Sequence, residues 1–484
     1  MVTYAQIMGL FTSTPLPEPV GDSAPPVDEH PSRIATVLSH LRRSADTRIT
    51  HPRRFRIQQL RALEKMLEEH LDDFVQALND DLGKSPTEAK FAEVDVVRAE
   101  IDFALRHLAE WMDSTGVKVP LALQPAIAKI EPRPLGVVLI IGAWNYPLQL
   151  VLAPLVAAIA AGNAAVLKPS ELAPATSGAL AKFLPLYLDE RVFAVIEGGA
   201  DTASELLAAR WDHIFYTGGE RVAKIVAMAA AQHLTPTTLE LGGKSPAVVD
   251  NHSLATAKRL AYAKFMNAGQ TCVAPDYILC IGDATPLINR LGQAISGFYG
   301  KEPITHPDFG RIASHQHFER LLAMMEQGEV VFGGEYDEAT LRIAPTIMRN
   351  VDLGGTLMTE EIFGPILPII EVETFEEALE FIARRPSPLA AYLMSESPRL
   401  QSIFSDRVRA GAIVHNAPLA QMVIPTLPFG GVGASGMGSY HGKHGFDRLS
   451  QMRSELNKTT VVDTLSAIYP PYSWAKRKII DRLL

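Results

Sequence analysis

The chain has 484 residues, 47% hydrophobic and 20% charged, the composition of an ordinary soluble protein with room for more than one domain and a large core. Its formal net charge is −9, and no basic block is large enough to engage nucleic acid. The N-terminus lacks the basic region and long apolar run of a signal peptide, and two cysteines in so long a chain point to a reducing compartment, so a cytoplasmic protein is expected.

Residues 1–32 include TPLPEPVGDSAPPVDEHPS, rich in proline and acid, and are expected to form an extended leader outside the core. Residues 33–115 read as helices with apolar faces. Near their end, Ile101, Leu105, Leu108 and Met112 recur at helical spacing as a core-facing stripe. From Leu135 to Leu167 the chain carries no charge and is long enough for a membrane span. Gly142, Asn145, Pro147 and Gly162 instead divide it into a strand, VVLII, an apolar helix, LQLVLAPLVAAIAA, and a second strand, AAVL. That pattern predicts a buried βαβ unit whose parallel strands are apolar on both faces. FAVIEGG, DHIFYTGG, the helix ERVAKIVAMAAAQHL and TTLELGG continue the alternation, so an open α/β sheet is expected. A second α/β series starts after Glu240, with AVVD, LATAKRLAYAKFMNAG, YILCI, PILPIIEV, TFEEALEFIARR and AAYLM. Further on, GVGASG at 431–436 matches the GxGxxG pattern, and Glu455 falls near its acidic position. Two prolines precede it and MGSYHGKHG after it reads as no helix, so a flexible or tightly turning loop is expected.

Both cysteines lie in FMNAGQTCVAPDYILC, residues 265–280. Along a helix Cys272 and Cys280 would be about 12 Å apart, and further along a strand, beyond the ~7 Å limit of a disulfide unless the chain reverses sharply. No histidine lies within ten residues of either, so no metal site is expected. Cys280 ends an apolar run and reads as a small core hydrophobe. Cys272, in NAGQTC, suits a loop, and is either an inert thiol or a nucleophile.

A nucleophilic thiol requires a base, a site for an oxyanion and, for a redox reaction, a cofactor. Glu240, at a strand end before two glycines, is either a carboxylate facing a cleft or a hydrogen-bonded buried acid. Asn145 in GAWNYP is either an oxyanion donor or an ordinary turn residue. Lys168 and Glu171 in LKPSE could hold a nucleotide's phosphate or ribose hydroxyls, with a snorkelling lysine as the simpler alternative.

Taken in order, WNYP, LKPSE, FYTGG, LELGGKSP, GQTC, EEIFGP and LPFGGVGASGMG resemble the aldehyde dehydrogenase superfamily over residues 33–475, and NAGQTCVAPDY with GMGSYHGKHGF resembles its class 3 branch. The resemblance implies oxidation of medium- or long-chain aliphatic, or aromatic, aldehydes to carboxylic acids with NAD or NADP. Cys272 is then the nucleophile of a thiohemiacetal, its oxyanion held by the Asn145 amide and the Cys272 N–H, and collapse with hydride transfer leaves a thioester. Glu240 is the general base for its hydrolysis. Trp144, Lys168, Glu171 and Gly218 are implied as cofactor contacts, as are Glu361 and Phe363, which would hold the nicotinamide ribose; Glu360 is the neighbouring register. Lys168 favours a 2′-phosphate and Glu171 repels it. Ala223 stands where the branch usually has a glycine, and its methyl is expected to tighten the helix start against the diphosphate.

The fold implied is α/β. A Rossmann-like parallel-sheet cofactor domain spans 33–117 and 136–240, and an α/β catalytic domain spans 241–415. A bridging region at 118–135 and 416–460 pairs with a second copy in a homodimer. In the tail, 461–484, Ile479, Ile480, Leu483 and Leu484 lie beside Lys476, Arg477, Lys478 and Arg482, which suits docking on the partner or peripheral membrane contact. Two alternatives stand against this: a cofactor-free thiol hydrolase using His415 or His233, and a non-catalytic member of the family.

Overall fold

The computed structural model describes residues 32–483, so the leader expected at 1–32 lies almost wholly outside the described residues. The expected βαβ unit is present. Val137–Ile141 and Ala164–Lys168 are parallel, wholly buried strands, and every residue of the helix between them, Gln149–Ala161, is buried. A helix apolar on all sides belongs inside a large core. This one packs against the helices Arg53–Glu69, Asp95–Met112 and Gly442–Arg448. Among the described residues no helix is long and apolar enough to cross a membrane.

The first sheet has six strands in the order Gly436–Met437, Thr237–Glu240, His213–Thr217, Val137–Ile141, Ala164–Lys168 and Phe193–Val195. All neighbours are parallel except the first pair. The chain builds outward from Val137–Ile141 in one direction, then returns to add His213–Thr217 on its other side. Between those two strands the order reverses, and open α/β sheets bind ligands outside the carboxyl ends at such a point.

The second sheet has seven strands, ordered Glu329–Phe332, Thr346–Arg349, Ile366–Val372, Tyr277–Ile281, Pro246–Val249, Ala390–Met394 and Ala412–His415. Only its first pair is antiparallel. A third, antiparallel sheet joins Thr115–Val117, Ala126–Pro134 and Ser450–Lys458. From the stretch 416–460, only Ser450–Lys458 enters that sheet, while Gly436–Met437 extends the first one.

The GVGASG segment is a tight loop. Gly433 and Gly436 have φ of 66° and 130°, and a methyl on Gly431 would fall 1.9 Å from the Ser435 carbonyl oxygen. The reading of MGSYHGKHG as non-helical is corrected in part, because Gly442–Arg448 is a short helix. Packing outweighs the poor propensity of its glycines: Phe446 is buried, and Gly445 sits so close to Ala157 that an added methyl would meet that side chain at 2.9 Å.

The buried helix Gln149–Ala161 ends at Gly162, whose φ is 85°. Arg56 caps it, donating from Nη1 to the Ala160 carbonyl at 2.8 Å and from Nε to the Thr50 carbonyl at 3.1 Å. A methyl on Gly162 would come within 2.6 Å of that guanidinium, so both the φ and the close approach require glycine. Burial, and then Arg133, lower the Arg56 pKa to about 10, which leaves it charged at neutrality. Replacing Arg56 by methionine removes two charge-assisted bonds and a cation from the helix C-terminus. The expected loss is about 2–4 kcal/mol, read as a lower urea midpoint with an unchanged slope.

Candidate active site

Most of the sequence-derived site residues emerge at the carboxyl edge of the first sheet. Trp144 and Asn145 follow Val137–Ile141, Lys168 ends its strand with Glu171 just beyond, Gly218 follows His213–Thr217, and Glu240 ends Thr237–Glu240. Cys272 arrives from the other side, in the loop that enters Tyr277–Ile281 at the amino edge of the second sheet.

The loop carrying Cys272 is strained and firmly held. Asn267, Ala268 and Gly269 have φ of 53°, 51° and 75°, so two non-glycine residues in succession are left-handed. Such residues cost of order 1–3 kcal/mol each and persist only where the surroundings over-determine them. Here the Asn267 N–H donates to Glu88 Oε1 at 2.9 Å, and Gln270 Nε2 donates to the carbonyls of Asn267 at 3.1 Å and Arg311 at 3.0 Å. Tyr146 Oη lies 2.7 Å from Thr271 Oγ1, and the Tyr392 hydroxyl donates to the Val273 carbonyl at 2.5 Å.

Asn145 is buried, and its Nδ2 donates to the Gln270 carbonyl at 3.0 Å. An amide NH₂ has two protons, so one remains for a ligand. Glu240 is 3% exposed with neither carboxylate oxygen hydrogen-bonded, and burial alone pushes its pKa well above the usual carboxylate range. Burial also pushes the Cys272 thiol up, reinforced by the neighbouring Glu361 and Glu240, while its own N–H and that of Val273 pull the other way. Burial thus disfavours the charged forms of both the thiol and the acid, and one Asn145 amide proton is left free beside them.

Cys272 and Cys280 are both unbridged. Cys280 is fully buried, and His252, remote in sequence, brings Nε2 to 3.2 Å from its sulfur. The histidines of the hydrolase alternative do not serve Cys272. His415 ends a strand at the carboxyl edge of the second sheet, opposite the edge that carries the thiol, and places Nε2 3.0 Å from Ser405 Oγ. His233 is exposed at the end of the helix Glu220–Gln232, away from the cleft where that helix begins. Among the described residues no group of three or more His, Cys, Asp or Glu is arranged to hold a metal ion.

Of the two adjacent acids in EEIFGP, Glu361 faces the cleft and Glu360 is exposed. The Glu361 carboxylate rests on Gly242, where an added Cβ would lie 2.2 Å from both of its oxygens, and it accepts the Gly243 N–H. Burial, and then Asp276, raise its pKa to about 8. Lys244 bonds to Asp276 and donates to the carbonyls of Leu357 at 2.8 Å and Glu360 at 2.7 Å, while Arg320 donates to the carbonyls of Glu361 at 3.1 Å and Ile362 at 2.6 Å. Phe363, with φ of 51°, meets Trp144 edge-on at 5.3 Å, and His317 lies 5.1 Å from the same indole.

The residues fit a dinucleotide. Gly219 caps Glu220–Gln232 without a side-chain hydrogen bond, leaving the N–H groups of that helix for a diphosphate. A methyl on Gly218 would fall 2.3 Å from the Tyr216 hydroxyl, so the approach to that helix is closed to any larger residue. Lys168 Nζ and Glu171 Oε2 are 2.6 Å apart beside the neighbouring strand end, and Glu171 stays half exposed. The expectation for Ala223 is corrected: its side chain is buried with Val226 and Ala230 on the core side of the helix, so its methyl does not press on the diphosphate.

Sequence reasoning missed the supports: Lys84, Glu88 and Glu93 behind Asn145, and Asn267, Gln270, Lys244, Asp276 and Arg320 around the two loops. Lys244 and Asp276 lie beside motifs already singled out, which was a usable signal. The acids and lysine of the N-terminal helices gave none.

The profile of the aldehyde dehydrogenase family matches residues 40–454. The chain is 46% identical over 431 residues to aldehyde dehydrogenase family 3 member A2 of Macaca fascicularis, covering 88% of this chain and 89% of the relative. It is 44% identical over 461 residues to family 3 member H1 of Arabidopsis thaliana, covering 94% and 95%. It is 45% identical over 444 residues to the dimeric, NADP-preferring aldehyde dehydrogenase of Canis lupus familiaris, covering 91% and 98%. The substrate-bound AldH of Staphylococcus aureus superposes with a TM-score of 0.91 at 40% identity, over 93% of this chain and 99% of that one. A cleft between two parallel sheets with a thiol, an amide and an acid at its centre, and likeness along nearly the whole sequence, agree: the chain belongs to the aldehyde dehydrogenase family and is an NAD(P)-dependent oxidoreductase of aldehydes.

Proposed function

We propose that the protein oxidises medium- or long-chain aliphatic, or aromatic, aldehydes through a covalent thioester on Cys272. The observation that carries this reading is the convergence from two sheets of a partly exposed Cys272, the buried Glu240 that acts on its thiol, and the buried Asn145 bonded to the Gln270 carbonyl two residues before it. Membership of the relatives in family 3 supports the substrate class. Trp144, Lys168, Glu171, Gly218, Glu361 and Phe363 hold NAD or NADP, which when bound supplies the hydride acceptor. The Cys272 thiol gives its proton to solvent, its sulfur bonds to the aldehyde carbon, and the carbonyl π-bond breaks to leave the electron pair on oxygen. The oxyanion so formed takes the free Asn145 N–H and the Cys272 N–H. Its collapse re-forms the carbonyl and breaks the former aldehyde C–H bond, whose hydride the cofactor would accept when bound, and leaves the thioester. Glu240, once ionised, removes a proton from water as that water attacks, and the acid departs with the thiol restored.

The third sheet leaves Ile127 and Leu456 exposed at 74% and 58%, an apolar surface suited to a second copy, and the canine relative is described as dimeric. We therefore propose a cytoplasmic homodimer, with the tail helix Trp474–Leu483 docking on the partner subunit.

The first test is absorbance at the reduced-nicotinamide band with a medium-chain aldehyde and with benzaldehyde, each with NAD and with NADP; a rise is expected with at least one pair, and none with any pair refutes the reading. Cys272→Ala is expected to abolish turnover while keeping cofactor affinity, and steady turnover in that variant would sink the thioester. Glu240→Gln is expected to retain a burst of reduced cofactor but to slow the steady rate about 10²–10⁴-fold.

Because burial raises the Glu240 pKa and only its ionised form accepts a proton, kcat should climb with pH along a limb that lies above the ordinary carboxylate range where acid release limits. Glu240→Gln should flatten that limb. The Lys168–Glu171 pair sets the cofactor choice: Glu171→Gln frees the lysine and is expected to raise kcat/KM for NADP relative to NAD by about two- to fivefold, the scale of one exposed charge contact.

A further inference from the structure

The buried pair Lys84 and Glu93 takes no part in the chemistry assigned above. Both side chains are fully buried, with Lys84 just past the helix Leu71–Leu82 and Glu93 in the π-turn Lys90–Val94. Lys84 Nζ donates to Glu93 Oε1 at 2.5 Å and to the Asn145 main-chain carbonyl at 2.9 Å, and it lies 4.0 Å from the centroid of the Tyr146 ring. The other Glu93 oxygen accepts the N–H groups of Leu148 at 2.9 Å and Gln149 at 3.1 Å. One ion pair therefore grips residues 145–149 at both ends. Asn267 Nδ2 gives the Asn145 carbonyl a second bond at 2.8 Å.

A buried ion pair contributes little stability beyond what apolar residues of the same volume would give, and its use is better sought in the geometry it enforces. Here that geometry is the orientation of the Asn145 peptide. We propose that Lys84 is a positioning residue which, by holding the Asn145 carbonyl, aims the Asn145 amide at the oxyanion. This rests on the reading of Asn145 as the oxyanion donor. Without Lys84 the carbonyl keeps only the Asn267 bond, Glu93 loses its counter-charge, and the peptide is free to rotate. The thiol loop touches this segment through Tyr146 and Asn267, but Glu88, Arg311 and Tyr392 also anchor it, through bonds that do not involve Lys84. The loss therefore falls on kcat and not on KM, and it disappears once the Asn145 amide has been removed.

The test is a four-member cycle of wild type, Lys84→Met, Asn145→Ala and the double variant. It reads kcat and KM for an aldehyde, and also the rate of Cys272 alkylation by iodoacetamide, a reaction that forms no oxyanion. Asn145→Ala is expected to lower kcat about 10²–10³-fold. Lys84→Met is expected to lower it at least about tenfold, and the double variant should be no slower than Asn145→Ala alone within about twofold. KM and alkylation should stay within about twofold throughout. Losses that multiply in the double variant, or a Lys84→Met variant with wild-type kcat, overturn the role of Lys84. Wild-type kcat in Asn145→Ala overturns the oxyanion reading instead. Should Lys84→Met fail to fold, Asn267→Gly tolerates the φ of 53° and deletes the other donor to the same carbonyl. In that cycle the same non-additivity supports the proposal and multiplying losses overturn it. Recovery of kcat in Lys84→Arg supports a donor at that point, and a loss of kcat without change in thermal stability there counts against it.

Discussion

The position of the reactive sulfur depends on one backbone constraint, the left-handed passage through Asn267, Ala268 and Gly269 that turns the chain from the helix Leu254–Phe265 into the loop of Cys272. Left-handed residues other than glycine are unfavourable in isolation, so the turn exists because other parts of the molecule hold it. Glu88 reaches it from the N-terminal helices, Gln270 ties it to Arg311 and to the Ala313 N–H, and Asn267 ties it to Asn145 at the end of the first sheet. Cys272 is thus placed by the junction of three units. A change in how the sheets meet is transmitted to the thiol through hydrogen bonds already at their working distance.

The electrostatics of the cleft follow from how its charges are distributed. The acids named as neighbours of the thiol, Glu361 and Glu240, are both driven toward their neutral forms by burial. An ionised buried carboxylate without a counter-charge costs several kcal/mol, and Glu240 has no hydrogen-bond partner to offset it, so burial favours its protonated form. The cations close by are committed elsewhere. Lys244 and Arg320 donate to main-chain carbonyls of the loop that carries Glu361 and Phe363, and Lys84 donates to the carbonyl of Asn145. Cations fix the backbone here, and carboxyl groups are left free to exchange protons. Reactivity therefore has to be created when ligands enter.

The βαβ unit was legible because uncharged length, glycine punctuation and a proline-bearing turn all agreed, and Glu240 was legible at a strand end, Asn145 and Cys272 in short polar loops beside apolar strands. Lys84 and Glu93 were not. Charged residues in an amphipathic helical stretch read as solvent-facing, and what they meet is residues 145–149, which lie far along the chain and arrive only on folding. The short helix Gly442–Arg448 was hidden for a related reason: its glycines argue against helix locally, and only tertiary neighbours explain them, Ala157 against Gly445 and the Pro425 carbonyl and Phe103 against Gly442. Ala223 is a different lesson. Ala223, Val226 and Ala230 are spaced as one helical face, so the phase that turns its methyl to the core was already in the sequence, obscured by attention to a single departure from a motif.

The segment LELGG shows how few residues can serve both sheets at once. Glu240 ends the first sheet, and two residues later Gly242 supplies a surface with no side chain on which the Glu361 carboxylate rests. Gly243, with φ of 127°, turns its N–H onto that same carboxylate and carries the chain on to Lys244, whose ammonium holds the loop from which Glu361 projects. The acid at the strand end and the acid from the second sheet are therefore set relative to each other by five residues of one peptide. A methyl at Gly242 would displace Glu361 and leave Glu240 on its strand, so the placement of the two carboxyl groups beside the thiol is separable: one depends on the sheet, the other on the absence of a side chain.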